Sequence, residues 1–161
     1  MGDWNRTSKE CTPESLNSEN MAAIRKHLET YNLGPILDDY LLCIETTSEK
    51  KKKGLFGGGG DKQVIVSVIV TPRWLVWAVT GDKSGTGTLS TQLRDAVITD
   101  YTKSDFFKMV PDNGIQVTAT FTGTFAGSPT ESGTMFIPTG DEAITQRFKE
   151  TVIHAVQESK K

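Results

Sequence analysis

Between residues 36 and 137 the chain carries one strand signal after another, and helical periodicity survives only at its two ends. That order excludes a parallel, doubly wound sheet, which needs helices alternating with strands. Seven segments read as strands: 40–47, 63–70, 74–80, 88–93, 96–101, 115–121 and 134–137. The run Val64-Ile65-Val66-Ser67-Val68-Ile69-Val70 is rich in β-branched residues and reads as a buried strand. In the next strand Trp74, Val76 and Ala78 share one face, and Leu75, Trp77 and Val79 share the other. Ile115, Val117, Ala119 and Phe121 alternate with Gln116, Thr118 and Thr120, the pattern of a half-buried strand. Breakers separate the runs: Thr71-Pro72, the Gly/Ser/Thr loop 81–87, Pro111-Asp112-Asn113-Gly114, and the loop 123–133. The 15 glycines gather in such loops, and many of the 21 threonines fall in the strands or at their ends.

The helices flank this region. Over 18–33, Met21, Ile24, Leu28 and Tyr31 recur at spacings of three and four, Ser18 can cap the start, and Leu33-Gly34-Pro35 stops the helix. Over 139–158, Ile144, Phe148, Val152 and Val156 recur every fourth residue, and Thr139-Gly140-Asp141-Glu142 reads as a capping box. Residues 1–16 are polar, without periodicity, and predict a flexible tail. A chain of 161 residues supports one core. Residues 17–160 therefore read as a single domain: helix 18–33, barrel 36–138, closing helix 139–158. The predicted class is mainly β with α (α+β), a small bent barrel or sandwich of about seven antiparallel strands, an open barrel end being covered by the terminal helix.

Charge and composition exclude several functions. With 18 basic and 20 acidic residues the net charge is -2, which argues against a nucleic-acid partner. Cys11 and Cys43 are too few for a disulfide scaffold. No apolar run reaches the length of a membrane span, and the N-terminus lacks a secretory apolar core, so the expected place is the cytoplasm, with both thiols reduced. His27 and His154 have no cysteine or carboxylate at ligand spacing, so neither a metal nor a cofactor is expected. Gly57–Gly60 is not followed by Gly-Lys-Ser/Thr and does not make a phosphate loop. No nucleophile–base pair can be read from the sequence, which argues against an enzyme.

The strand order, the long loop after the first strand, the paired runs 63–70 and 74–80 and the final helix resemble the pleckstrin-homology (PH)-like superfold. The pattern is closest to bacterial PH-like and GRAM-type domains, on the segment Val70-Thr71-Pro72-Arg73-Trp74-Leu75-Val76-Trp77. The resemblance covers about 36–158 and implies two nearly orthogonal sheets closed by the C-terminal helix, with helix 18–33 as an addition. It also implies that the loops 48–62, 81–87 and 123–133 meet at one end, where such domains bind headgroups or partners.

The first of those loops holds Lys50, Lys51, Lys52 and Lys53, then Leu55 and Phe56 among glycines, then Lys62. Lys83 lies in the second loop, and Arg73 opens the strand that follows Pro72. These nine residues are the candidate ligand or partner contacts. Four lysines can lie on anionic lipid while Leu55-Phe56 dips into the interface, each cation contributing about 1 kcal/mol. The strand Val64-Ile65-Val66-Ser67 lacks the basic triplet that a stereospecific phosphoinositide pocket uses in PH domains. The leading expectation is thus a non-enzymatic PH-like binding or adaptor module, contacting a protein or an anionic membrane surface. The alternatives are a specific acidic-lipid reader, a small enzyme with a barrel-mouth pocket, and a self-associating protein that dimerises through strand edges and the extra helix.

Overall fold

The computed structural model describes residues 3–51, 60–125, 128–129 and 132–161. In chain order its elements are β1 (Trp4–Glu10), α1 (Ser18–Thr30), β2 (Leu42–Lys50), β3 (Gln63–Val70), β4 (Trp74–Gly81), β5 (Gly85–Gln92), β6 (Val97–Asp100), β7 (Gly114–Thr120), β8 (Thr122–Phe125), β9 (Ser128–Pro129), β10 (Ser132–Pro138) and α2 (Ala143–Ser159). Among the described residues the strands form a large sheet, β1-β2-β3-β4-β5-β8-β9, and a small sheet, β10-β7-β6, with all pairings antiparallel. The protein is mainly β with α, as the period-2 runs predict.

Each face of the large sheet has its own cover. Val66, Val68, Val70, Leu75, Trp77 and Leu89 point to one side, where Ile115, Val117 and Ile137 of the small sheet and Phe148, Val152 and Ala155 of α2 complete the main core. Full burial of an apolar side chain of this size contributes about 1.5–3 kcal/mol. The alternate residues Cys43, Ile69, Val76 and Ala78 pack under Leu16, Met21 and Ile24 of the α1 side. The two tryptophans divide between these faces: Trp77 is in the main core, and Trp74 packs against the α1 cluster.

The α1 face also carries buried polar groups. Glu45 Oε2 accepts from the Asn17 amide at 2.7 Å and the Ser67 hydroxyl at 2.8 Å. Asn20 donates to Ser67 Oγ at 2.9 Å and to the Ile65 carbonyl at 3.1 Å. Farther along the helix, His27 Nε2 lies 2.8 Å from Ser90 Oγ. Asn17, one residue before the predicted Ser18, caps the helix, and its side chain accepts from the amides of Glu19 and Asn20. Asn20 and His27 are buried while Tyr31 is exposed, so the buried stripe is rotated from the predicted one to meet polar groups on the sheet.

Three sequence expectations are corrected. Residues 4–10 are not a flexible tail: they pair in register with β2 from Trp4↔Lys50 to Glu10↔Ile44. Backbone pairing and polar anchors place this strand rather than apolar alternation. Arg6 bridges Asp112 at 2.7 Å and also donates to Ser48, and Ser8 Oγ lies 2.6 Å from Thr46 Oγ1. The capping box at 139–142 does not form. Glu142 instead accepts from the Ser8 amide at 3.0 Å, Thr139 Oγ1 has no hydrogen-bond partner among the described residues, and α2 starts at Ala143. Finally, the two sheets do not close into a barrel. Strand β1 occupies the free edge of β2, and side chains span the gap to the small-sheet side, with the Gly140 amide donating to Ser8 Oγ at 2.8 Å.

Helix α2 is pinned as well as packed. Lys149 Nζ reaches Asp100 Oδ1 at 2.8 Å and Asn113 Oδ1 at 2.6 Å, joining the helix to β6 and to the turn before β7. Burial raises the Asp100 carboxyl, but hydrogen bonds from Lys149 and Thr102 outweigh it and hold the group below its ordinary value.

Candidate functional site

Antiparallel pairing decides which candidate residues meet. The pairs Glu49↔Gln63, Val64↔Gly81 and Gly81↔Gly85 put the end of β2, the start of β3 and the β4–β5 turn at one end of the large sheet. Strand β8 runs toward that same end, since Thr122 pairs with Ser90 and Thr124 with Thr88. Lys50, Lys51, Lys62 and Lys83 are therefore neighbours in the fold. Lys52, Lys53, Leu55 and Phe56 lie outside the described residues.

Two aspartates organise this end by capping each other's loops. Asp61, before β3, accepts from the amides of Lys83 and Ser84 at 2.6 and 2.9 Å and from the Ser84 hydroxyl at 2.6 Å. Asp82, after β4, accepts from the amides of Lys62 and Gln63 at 2.8 and 3.2 Å. Hydrogen bonds from the Ser84 side chain and the Lys83 amide hold the Asp61 carboxyl below its ordinary value. A Cβ on Gly81 would collide with Asp61 and Ser84, so the clamp requires glycine there. Two further backbone bonds tie in β2 and the N-terminus, from Lys50 to Lys62 and from Lys51 to Asp3, each 2.9 Å.

The carboxylates thus serve backbone amides rather than the neighbouring lysine side chains. Lys51, Lys62 and Lys83 are exposed and Lys50 is half-buried. Among the described residues none of the four is in an ion pair. Beside them opens a groove of about 290 Å³, lined by Asp61, Val64, Val79, Ser84, Gly85, Thr86 and Gly87. Its valines belong to the rim of the main core.

Arg73 is elsewhere. The β3–β4 turn carries it to the opposite end of the sheet, where Thr71 Oγ1 accepts from the Trp74 amide at 2.9 Å and shapes the turn. There it lines a cleft of about 610 Å³ with Pro72, Trp74, Gln92, Arg94 and, from the end of α2, Glu158. The sequence reading missed Gln92 and Arg94. The pairing Trp74↔Gln92 would have found the first, but the arrival of α2 beside them leaves no local sequence signal.

A Ser–His pair also exists, against the sequence expectation. Ser90 and His27 are both buried beneath α1, and neither lines the grooves above. Burial pushes the imidazole below its ordinary value. Thr88 O and His27 crowd Gly123, which adopts φ 125°, so a side chain there would displace the pair. Among the described residues no group of three or more His, Cys, Asp or Glu could hold a metal, and no helix is long and apolar enough to cross a membrane.

Compared with protein-family models, curated proteins and solved structures, the chain matches none of them.

Proposed function

We propose that this chain is a non-enzymatic, PH-like binding module that adsorbs to an anionic membrane surface through its lysine end. One observation carries the reading: Lys50, Lys51, Lys62 and Lys83 converge with no ion pair among the described residues, while the nearby Asp61 and Asp82 cap backbone amides. Cations held in this way add long-range attraction to acidic lipid without a shaped pocket. Lysine suits the task, because its ammonium is a hydrated point charge rather than a planar fork. The β2–β5 meander, the separate small sheet and the covering helix α2 support the PH-like part of the reading. The Ser90–His27 pair argues little for an enzyme, since both groups are buried away from the grooves.

Co-sedimentation with phosphatidylcholine vesicles, with and without phosphatidylserine, tests the proposal at low salt. Binding should require phosphatidylserine and be lost when Lys50, Lys51, Lys62 and Lys83 are changed to Gln. Failure to bind, or equal binding by both proteins, contradicts it. An acidic protein partner would gain support if vesicles failed but the same lysines governed capture by a polyglutamate matrix.

A further inference from the structure

We propose that Cys11 and Cys43 form a cross-strand disulfide site that locks β1 to the large sheet. The β1/β2 register continues one step beyond Glu10↔Ile44, which sets the two cysteines opposite each other. The Cys11 amide donates to the Cys43 carbonyl at 2.9 Å. Both side chains lie on the α1 face, Cys43 inside the apolar cluster there and Cys11 packed against it. Opposed residues at a hydrogen-bonded position have Cα atoms about 5.5 Å apart. Disulfides span roughly 4.4–6.8 Å between Cα atoms. Their Cβ atoms must close by about 1 Å from the usual cross-strand separation. Cys11 can supply that movement because it lies just past the last residue of β1.

The surroundings set the order of the chemistry. Both thiols are free, Cys43 buried and Cys11 half-buried, and both line a groove of about 600 Å³ with Thr12, Ser15, Tyr40 and Leu41. Cys11 is therefore the point of entry for a small disulfide such as oxidised glutathione. Its thiolate attacks one glutathione sulfur, forming a mixed disulfide and expelling one glutathione thiolate. Cys43 then loses its proton and attacks the Cys11 sulfur, expelling the second glutathione. Two protein thiols are oxidised, and one glutathione disulfide is reduced to two thiols. Burial pushes both cysteines up, so the exchange is slow at neutral pH and quickens in mild alkali. The bond closes the chain around α1 and fixes the strand that carries Arg6 and Ser8.

The experiment incubates the full chain with oxidised glutathione in mild alkali, then reads intact mass, thiol titre after denaturation, and thermal unfolding. The expected product is a monomer lighter by two hydrogens, with no titratable thiol and a Tm higher by about 10 °C, reversed by reductant. Cys11→Ser, at a half-buried position, should show neither change. Glutathione retained on Cys11, a disulfide-linked dimer or two persistent thiols would overturn the site. The mass loss without a rise in Tm would overturn the locking of β1.

Discussion

Both ends of the large sheet collect cations, but the neighbouring acids do different work. At the lysine end, Asp61 and Asp82 bind backbone amides across two loops rather than the neighbouring lysine side chains. At the other end, Arg73 and Arg94 flank Trp74 in a cleft that also contains Glu158, itself paired with Lys161 at 2.8 Å. Strand β3 has 8 residues, so these ends lie about 25 Å apart, some three Debye lengths at physiological salt. One end can therefore meet a charged surface without help from the other. Lysines outside ion pairs can meet a charged surface directly, with Asp61 and Asp82 subtracting from the attraction, whereas charge around an aromatic cleft suits a compact ligand.

The comparison is tested most strongly by neutralising the lysine end. Changing Lys50, Lys51, Lys62 and Lys83 to Gln should weaken partitioning into phosphatidylserine vesicles on the order of 1,000-fold, or more at low salt. Raising ionic strength from roughly 0.01 M to 0.15 M shortens the Debye length from about 30 to about 8 Å and should mimic much of that loss. Asp61→Ala has the next largest effect and separates adsorption from shaped recognition. It removes a negative charge and frees the Lys83 and Ser84 amides, so vesicle binding should rise about fivefold while Tm falls. A stereospecific pocket would lose binding instead. Because the Asp61 carboxyl is held below its ordinary 3.8, the clamp is intact above that pH and is lost as pH falls through the lowered value. At about 0.15 M ionic strength, Arg73→Gln with Arg94→Gln should change vesicle binding by less than about twofold. A larger change would erase the distinction between the ends.

The smallest effect lies between the ends, under α1. Burial holds His27 below its ordinary 6.5, so the unfolded chain takes up the proton more readily. Stability from the neutral imidazole is complete above 6.5 and declines as pH falls below it. Thermal unfolding between about pH 7 and pH 5 should show a modest fall in Tm that His27→Gln flattens.

These regions also differ in how far the sequence discloses them. The period of two put Trp74 and Trp77 on opposite faces, and both faces are covered as that pattern requires. In a meander alternate turns fall at the same end, which brings together Lys50, Lys62 and Lys83, a meeting expected from the PH-like resemblance. The same rule sends Arg73 to the far end, although the sequence reading grouped it with the lysines. Strand β1 was hidden because Asn5, Arg6 and Thr7 carry no apolar alternation, and the strand is held by groups distant in the chain, Asp112 and Glu142 among them. The false capping box has the same origin: Glu142 serves the Ser8 amide instead of its own helix. The opposition of Cys11 and Cys43 depends on that hidden strand.

The central claim is that the lysine end faces the membrane. Amide NMR with phosphatidylserine vesicles carrying a paramagnetic headgroup tests it directly. The account predicts broadening at Lys50, Lys51, Lys62, Lys83 and Ser84, with Arg73, Trp74 and Arg94 unaffected. Broadening centred on Arg73, Trp74 and Arg94, or no broadening at low salt, would contradict it.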